Sequence, residues 1–345
     1  MRVLLWHVHG SWTTSFVQGD HTYLLPVLPD RGPDGRGRAR TWDWPAAALE
    51  VTPEQLAADP PDVVVLQRAH EADLLLAWTG LRAGVDVPVV HLEHDAPTQH
   101  AARSRQRAAD GPDLVVHVTA YNALMWDNGS APTTVVEHAV VDPGPLATGT
   151  RESLGVVVNE PVRRERVAGT DVVLDLARDL PVEVYGMGMP ALAALAAERG
   201  VPVGGGAGPA GLLGLHDDVP QAAMHARLGE HRAYLHPYRW TSLGLALVEA
   251  MTIGLPVLAV ASTAAADAVP PAGGVVSADP RVLADAARRW LVDPAAAREA
   301  GAAAREHALS RFGLARFLAD WDEVLDAVVA GDLPRAVRRR TGVAA

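Results

Sequence analysis

The stretch that decides the fold is Ala233–Pro256, AYLHPYRWTSLGLALVEAMTIGLP. Its apolar beginning predicts a buried strand that ends at His236, and a short loop follows. A helix is predicted to begin near Thr241 or Ser242, because both residue types favour the N-cap position. Gly254 ends this helix, and the proline two residues later starts the next strand. The stretch therefore predicts a strand–loop–helix–strand unit of an α/β protein with a parallel sheet.

The start of this helix is a predicted anion site. Backbone amides at a helix N-terminus favour negative charge, so a diphosphate fits there. Gly244 allows a ligand to approach the backbone closely. Glu249 lies about two helical turns after Thr241, where it can accept hydrogen bonds from the hydroxyls of a ribose. The alternative is that Glu249 is a solvated helix residue.

Outward from this stretch, strand-like runs alternate with helical ones. In the first half, the predicted strands are Val3–Val8, Tyr23–Leu28, Asp62–Leu66, Val87–Leu92, Leu114–Val118 and Thr133–Glu137, with helices that include Glu71–Ala83 and Thr98–Ala109. In the second half, the predicted strands are Gly155–Val158, Val182–Tyr185, Ala233–His236, Pro256–Val260 and Gly274–Val276. Apolar runs flanked by helices are typical of parallel strands that are covered on both faces.

These patterns predict an α/β protein with two Rossmann-like doubly wound domains that face a cleft. The linker is placed at Val140–Ser153, which is rich in Pro, Gly, Ser and Thr and lacks periodicity. The domains are residues 1–142 and 153–329, and the tail 330–345 is placed near the first domain. Leu314–Val329 is predicted as an amphipathic helix of the second domain. Two facing ligand-binding edges favour an enzyme with two substrates.

Composition excludes several classes of protein. The chain has 345 residues, no Cys and no Lys, which excludes disulfide frameworks, thiolate nucleophiles, Schiff-base lysines and Walker-type phosphate sites. The formal charge of -11 argues against a nucleic-acid partner. Its apolar runs are far shorter than the roughly 20 residues of a membrane span, and its first residues predict a strand and no signal peptide. We expect a cytoplasmic protein without a membrane partner, and the sequence predicts no particular oligomeric state.

The segment TSLGLALVEAMTIGLPV, residues 241–257, resembles the signature helix of family-4 retaining glycosyltransferases, which have the GT-B fold. That family carries two glutamates, separated by seven residues, at the donor nucleotide sugar. Glu249 matches the second, which by resemblance binds ribose, whereas Thr241 stands at the first. The resemblance also places Ser242, Leu243 and Gly244 at the donor.

A second segment, Val156–Asp171 or VVVNEPVRRERVAGTD, resembles the family's strand, basic loop and helix start. In the family, an Arg and a Lys of this loop hold the donor diphosphate. Arg163 matches the Arg, and Ala168 stands in the place of the Lys. Arg164 and Arg166 lie nearby and can supply the missing charge, because a guanidinium binds phosphate through two hydrogen bonds. The alternative is a solvated run of arginines.

Two further motifs lie in the second half. LHDDVPQ, residues 215–221, resembles the family's loop against the nucleotide base, and it predicts a donor contact and a helix cap near Asp217 or Asp218. GAGPAG at Gly206–Gly211 matches the dinucleotide-binding pattern G-x-G-x-x-G. It does not open a first strand–helix unit, so we interpret it as a chance match in a glycine-rich loop.

The resemblance in the first half is carried by PVVHLEHDAP, Pro88–Pro97. It resembles the family's strand-end histidine motif, in which the histidine lies near the donor sugar. His94 is chosen over His91 as the matching residue, and the alternative is a histidine that only packs at a strand end. Gly10 and Trp12 match the family's glycine loop, near the donor phosphates and the acceptor. A plain strand-to-helix turn is the alternative there.

One loop, Asp30–Pro45 or DRGPDGRGRARTWDWP, combines four arginines with two tryptophans. Long loops of this kind are often functional. Arg38 and Trp42 are predicted to hold an anionic or aromatic acceptor through ion pairing and stacking. The alternative is a surface flap whose tryptophans pack on the domain.

The cluster His91, Glu93, His94 and Asp95 also resembles a metal site in composition. Successive residues of a strand point to opposite faces, so the two histidines do not converge readily. The spacing matches neither of the common zinc-hydrolase motifs. We therefore predict no metal and no cofactor.

The sequence thus predicts a retaining glycosyltransferase that moves a sugar from a nucleotide-diphosphate sugar to a small-molecule or glycan acceptor. His94 would position the sugar, and the helix at Glu249 would hold the donor. A first alternative is an inactive GT-B relative that binds nucleotide or glycan, which Thr241 and Ala168 favour. A second is a GT-B nucleotide-sugar epimerase. A dehydrogenase, the third, depends only on the motif at Gly206–Gly211.

Overall fold

The computed structural model describes the chain except residues 41, 99, 205–211 and 339–345. The glycine motif Gly206–Gly211 therefore lies outside the described residues. The chain divides into two compact units. Unit 1 comprises Met1–Val141 together with Leu314–Ala345, and unit 2 comprises Asp142–Gly313.

Unit 1 is built on a seven-stranded parallel sheet. Its strands are β1 Arg2–Leu5, β2 Thr22–Pro26, β3 Ala48–Val51, β4 Val63–Leu66, β5 Val89–Glu93, β6 Leu114–His117 and β7 Thr133–Val135. Its helices are α1 Gly10–Phe16, α2 Pro53–Ala58, α3 Glu71–Thr79, α4 Ala120–Met125, α13 Leu314–Val329 and α14 Leu333–Arg338. The strand order is β3-β2-β1-β4-β5-β6-β7, which is the doubly wound order with one strand added.

Unit 2 repeats this topology with a six-stranded parallel sheet. Its strands are β8 Arg151–Val157, β9 Val182–Gly186, β10 Leu213–Asp217, β11 His231–His236, β12 Val257–Val260 and β13 Gly274–Ser277. Its helices are α5 Pro161–Ala168, α6 Thr170–Leu176, α7 Met189–Glu198, α8 Gln221–Leu228, α9 Leu245–Ile253, α10 Ala265–Ala268, α11 Pro280–Val292 and α12 Pro294–Arg311. The order β10-β9-β8-β11-β12-β13 is the Rossmann order 3-2-1-4-5-6.

The strands form because their side chains are buried on both faces of each sheet. Val63, Val64 and Val65 of β4 are all fully buried, as are Leu154 and Val156 of β8. Such β-branched and leucine-rich runs favour central parallel strands. The predicted pair of doubly wound domains is confirmed.

The amphipathic helix α13 has the bounds that the sequence predicts, but it belongs to unit 1 and not to the predicted second domain. Phe317 and Trp321 are buried as the stripe pattern indicated, yet they pack in unit 1. The Trp321 ring lies 5.6 Å from that of Trp12 and 5.0 Å from that of Phe16. The predicted second domain, 153–329, therefore ends too late, because the aromatic partners of this helix are on α1.

Two other sets of local predictions differ from the structure. Strands β3 and β10 were not predicted, since ALEV has a single β-branched residue and LGLHD has a glycine and two polar residues. The described residues of 98–109 form turns and a bridge, so the predicted helix Thr98–Ala109 is wrong. The predicted linker largely agrees with the structure, because residues 136–150 form neither helix nor strand.

In the described ranges, no helix is both long and apolar enough for a bilayer span.

Candidate functional site

Apart from Gly10, which begins α1 in unit 1, the predicted donor residues lie in loops or helices that follow strands of unit 2. Arg163 and Arg166 follow β8, Asp218 follows β10, and Gly244 and Glu249 follow β11. All of these strands are parallel, so their carboxyl ends meet at one edge of the sheet. Ligands of doubly wound sheets bind at this edge.

Helix α9 begins after a glycine N-cap. The helix begins at Leu245, and Gly244 is the N-cap residue with φ -65° and ψ 119°. Thr241 and Ser242 were predicted as caps, and they instead precede the helix in the loop. Because its N-cap residue is a glycine and offers no side chain of its own as a cap, the first turn of α9 retains the anion-binding character of a helix N-terminus.

His236 explains why residue 244 is a glycine. A Cβ on Gly244 would lie 2.6 Å from the imidazole Cε1 of His236, so any larger residue would displace the ring or the helix start. His236 is fully buried, and burial lowers its pKa to about 3, which keeps the ring neutral. Its Nε2 has no hydrogen-bond partner in the described part of the chain. Sequence reasoning did not select this residue, although its place at a strand end before the helix was the available signal.

Glu249 is a buried and oriented carboxylate. It is only 6% exposed, so the solvated alternative is wrong. Gln221 Nε2 donates to Glu249 Oε1 at 3.0 Å, and His225 Nε2 lies 3.3 Å from Oε2. Both partners are on α8, which packs against α9. A carboxylate held this way retains lone pairs that can accept hydrogen bonds from a diol.

The three arginines of the basic loop have different environments. Arg163 is 73% exposed, and its contact with Glu160 is long at 3.9 Å. Arg166 is equally exposed at 73%, but it forms a 2.7 Å ion pair with Asp171. The Arg164 guanidinium lies over the Tyr238 ring at 5.1 Å. Of these three arginines, Arg163 therefore has the weakest contacts within the protein, so it is the most available to an incoming anion.

This basic loop lies directly against the loop that precedes α9. The Arg239 backbone amide donates to the Val167 carbonyl at 3.0 Å. Gly169 has φ 73°, and a Cβ there would lie 1.9 Å from the Pro237 carbonyl oxygen. The structure thus brings the predicted diphosphate loop and the predicted donor helix together.

Asp218 lies at the same edge but caps no helix. It is exposed in the left-handed conformation with φ 47°. Helix α8 begins at Gln221 with Pro220 as its N-cap, so the predicted cap is wrong. Asp217 instead accepts a 3.0 Å hydrogen bond from the amide of Met189, the first residue of α7.

His94 follows β5 of unit 1 and is buried in a polar environment. Gln67 donates through Nε2 to the Trp6 carbonyl at 2.7 Å, so its Oε1 accepts from His94 Nε2 at 2.9 Å. Burial places the pKa of His94 well below its ordinary value. The ring is therefore neutral, and its Nδ1 is a hydrogen-bond acceptor.

Two further imidazoles lie near this ring. The ring centroid of His9 is 4.0 Å from that of His94, and the centroid of His138 is 6.4 Å away. Burial also lowers the pKa of His9, and it lowers that of His138 to about 3. In the described ranges, no three His, Asp or Glu side chains converge as ligands for a metal ion.

The residues predicted for the acceptor have unequal roles. Trp12 is 1% exposed and stacks on Phe16 at 4.6 Å, so it is a core residue and does not fit an acceptor contact. The Arg38 guanidinium donates to the carbonyls of Trp44 and Pro45. These hydrogen bonds hold the loop, so Arg38 does not fit that role either.

Gly10 and Trp42 are in contact. A Cβ on Gly10 would lie 2.3 Å from the Trp42 ring, so the ring covers the start of α1. The neighbouring Trp44 is buried, and its Nε1 donates to Thr14 at 2.8 Å. Both tryptophans thus pack on their own unit, as the flap alternative states, and Trp42 lies where a ligand of Gly10 would approach.

Comparison with known proteins adds a family match to this geometry. Residues 214–307 match the model of glycosyl transferases group 1, a segment that contains Asp218, the Thr241–Gly244 loop and Glu249. Among curated proteins, none matches the sequence.

Several solved structures share the fold across nearly the whole chain. Sucrose-phosphate synthase from Thermosynechococcus elongatus has a TM-score of 0.70 at 12% identity, and the alignment covers 96% of this chain and 100% of that one. Anabaena HepE, in complex with UDP and glucose, has a TM-score of 0.65 at 15% identity, with 95% and 100% covered. AviGT4, a glycosyltransferase involved in avilamycin A biosynthesis, gives 0.59 at 16%, with 96% and 98% covered.

The two parallel sheets with Rossmann-like topology match GT-B glycosyltransferase structures. Together with the group 1 match in unit 2, this fold supports a transferase of glycosyl groups.

Proposed function

We propose that the chain is a retaining, family-4-type glycosyltransferase that acts in the cytoplasm without a metal or cofactor. It takes a sugar from a nucleotide-diphosphate sugar and transfers it to a small-molecule or glycan acceptor. The observation that carries the proposal is Glu249, a buried carboxylate oriented by Gln221 on a helix whose N-cap residue is a glycine.

The donor is held by unit 2. Glu249 accepts hydrogen bonds from the ribose hydroxyls, and Asp218 lies beside the base. The α9 N-terminus, with Ser242, Leu243 and Gly244 before it, and Arg163 stabilise the charge that grows on the leaving diphosphate. Preorganised donors of this kind are usually the largest contribution to such a reaction.

The donor sugar is positioned by neutral groups. His94 has an acceptor Nδ1 and takes a hydrogen bond from a sugar hydroxyl, while Thr241 contributes its own hydroxyl from unit 2. We propose no side-chain nucleophile. Because the solved structure of Anabaena HepE is a complex with UDP and glucose, UDP is the first nucleotide to test.

A second candidate is a binding protein that holds a nucleotide or glycan without transfer. It is favoured by Thr241 and Ala168, which stand where the family has an acid and a lysine. The variant Thr241→Glu separates the two. Transfer gained in this variant supports the binding protein, whereas transfer that is unchanged or lost supports the enzyme.

An epimerase would convert the donor without any acceptor.

The first experiment is calorimetry with UDP, GDP, ADP, TDP and CDP, without metal and then with Mg²⁺. We expect one nucleotide to bind with micromolar affinity in the absence of metal and Glu249→Ala to abolish this binding. Glu198→Ala is the control, because Glu198 is an exposed acid of the same unit. If none of the five nucleotides binds, the donor site does not exist as described.

A further inference from the structure

An open pocket of about 510 Å³ lies in unit 1, among residues that follow β1 and β2. It is lined by four arginines, Arg31, Arg36, Arg38 and Arg40, together with His7 and Asp30. We call it the arginine pocket. Its lining follows strand ends, so it lies at the carboxyl edge of the sheet, where doubly wound folds bind ligands. Its volume is within the range of small-molecule sites.

Two of the arginines build the pocket. Arg31 forms hydrogen bonds of 2.8 and 2.9 Å to both carboxylate oxygens of Glu50, on β3. Glu50 also accepts from the backbone amide of Arg38 at 3.0 Å, and the Arg38 side chain holds the carbonyls of Trp44 and Pro45. The loop is therefore fixed before any ligand arrives, which reduces the entropic cost of binding.

The other two arginines are uncommitted. Arg36 and Arg40 are exposed, and neither side chain has an ion pair or hydrogen bond among the described residues. Counting Glu50 with the lining, four guanidinium groups face two carboxylates, which leaves a surplus of two positive charges. That surplus is local, because the chain as a whole carries -11. It matches a dianion, and a planar guanidinium fits phosphate through paired hydrogen bonds.

We propose that the arginine pocket binds the phosphate of a phosphorylated acceptor, and that Arg36 and Arg40 donate to its oxygens. This inference rests on the proposed function, since it names the chemical class of the acceptor. A phosphate monoester carries up to two negative charges, whereas a carboxylate carries one and would leave the pocket's charge half balanced. The volume also accommodates the small polar body to which the phosphate is attached.

The test measures binding to the full chain without any donor. Glucose 6-phosphate, glucose 1-phosphate and glycerol 3-phosphate are each titrated against their unphosphorylated parents and against inorganic phosphate. We expect at least one ester to bind ten times more tightly than both its parent and inorganic phosphate. Loss of one charge-assisted contact costs about tenfold in affinity, so Arg36→Ala/Arg40→Ala should weaken that ester about 100-fold.

Two matched variants sharpen the result. Arg36→Lys retains the charge and should lose less affinity than Arg36→Ala. Arg82→Ala removes an arginine that follows α3 and pairs with Asp86, outside the pocket, and it should leave ester binding unchanged. The proposal is overturned if no ester exceeds its parent, if inorganic phosphate binds equally well, or if the double variant binds like the original chain.

Binding of UDP is measured with the same proteins. We expect the double variant to retain it. If UDP affinity falls and ester affinity does not, the pocket holds the donor diphosphate and the acceptor proposal is overturned. If no nucleotide binds the original chain, the proposed function fails, while ester binding still reports on the pocket by itself.

Discussion

The carboxyl edges of the two sheets differ in chemistry although the strand orders agree. The edge of unit 1 carries, besides the arginine pocket, a group of three imidazoles, those of His9, His94 and His138, whose pKa values are lowered by burial. The edge of unit 2 carries exposed arginines beside the N-terminus of α9. Topology decides where a ligand binds, whereas the loops decide whether it meets neutral or charged groups. Positioning of the donor sugar is thus expected from the imidazoles of unit 1, and stabilisation of the leaving diphosphate from unit 2.

The largest loss of activity is expected when the His94 imidazole of unit 1 is removed. His94→Ala should lower the turnover of sugar transfer about 100-fold, because a preorganised hydrogen bond to the sugar is lost. Nucleotide affinity, which depends on unit 2, should stay within twofold. Steady-state kinetics and calorimetry measure the two quantities. His100→Ala is the control, since His100 is exposed. An equal loss of nucleotide affinity would contradict the division of roles.

The next effect concerns the start of α9. Gly244→Ala should weaken nucleotide binding about 30-fold, because the new Cβ meets the His236 ring and displaces the helix start. Calorimetry measures the affinity, and a thermal melt checks the fold. In Gly244→Ala/His236→Ala the clash is gone, and much of the affinity should return. If the double variant is no better than the single one, the steric account is incorrect.

A smaller effect compares two arginines of one loop. Arg163→Ala should weaken binding of the nucleoside diphosphate about 10- to 20-fold, through loss of a charge-assisted contact. Arg166→Ala should change it less than threefold, because Arg166 is paired with Asp171. Binding of the nucleoside alone should respond to neither change. Equal losses in both variants would mean that Arg166 leaves Asp171 for the ligand.

The sequence predicted elements correctly where burial of apolar side chains sets the pattern. It did not predict which partner a polar or aromatic side chain contacts. The stripe of α13 gave its bounds, because apolar spacing is a property of the helix alone. The chemistry of Trp12 and Arg38 suited an acceptor equally well, yet one packs in the core and the other holds backbone carbonyls. Neither residue type records whether its partner is a ligand or the chain itself. His236 was missed because its role depends on the glycine eight residues later.

The remaining effect is on acid stability. Burial lowers the pKa of His138 in unit 1 and of His236 in unit 2 to about 3, from an ordinary 6.5. The unfolded chain therefore takes up protons first as the pH falls below 6.5, and stability is progressively lost towards pH 3. Each histidine contributes at most about 1.4 kcal/mol per pH unit.

Urea unfolding at pH 7, 6 and 5 measures this slope. His138→Gln should reduce it by one histidine's contribution, and His100→Gln, at an exposed site, should not. An unchanged slope in His138→Gln would show that folding does not lower the pKa of this imidazole, and it would contradict the prediction. Applying the same substitution to His236 would compare the two units directly.

The return of α13 to unit 1 has a consequence for biosynthesis. Unit 2 is one uninterrupted stretch of chain, whereas unit 1 is interrupted by it. Trp12 and Phe16 emerge early from the ribosome, but their aromatic neighbour Trp321 is translated only after all of unit 2. Domains generally complete their folding in the order of synthesis. Here that order is inverted, because unit 2 can finish folding first, while the α1 segment of unit 1 waits for α13, which is translated after unit 2.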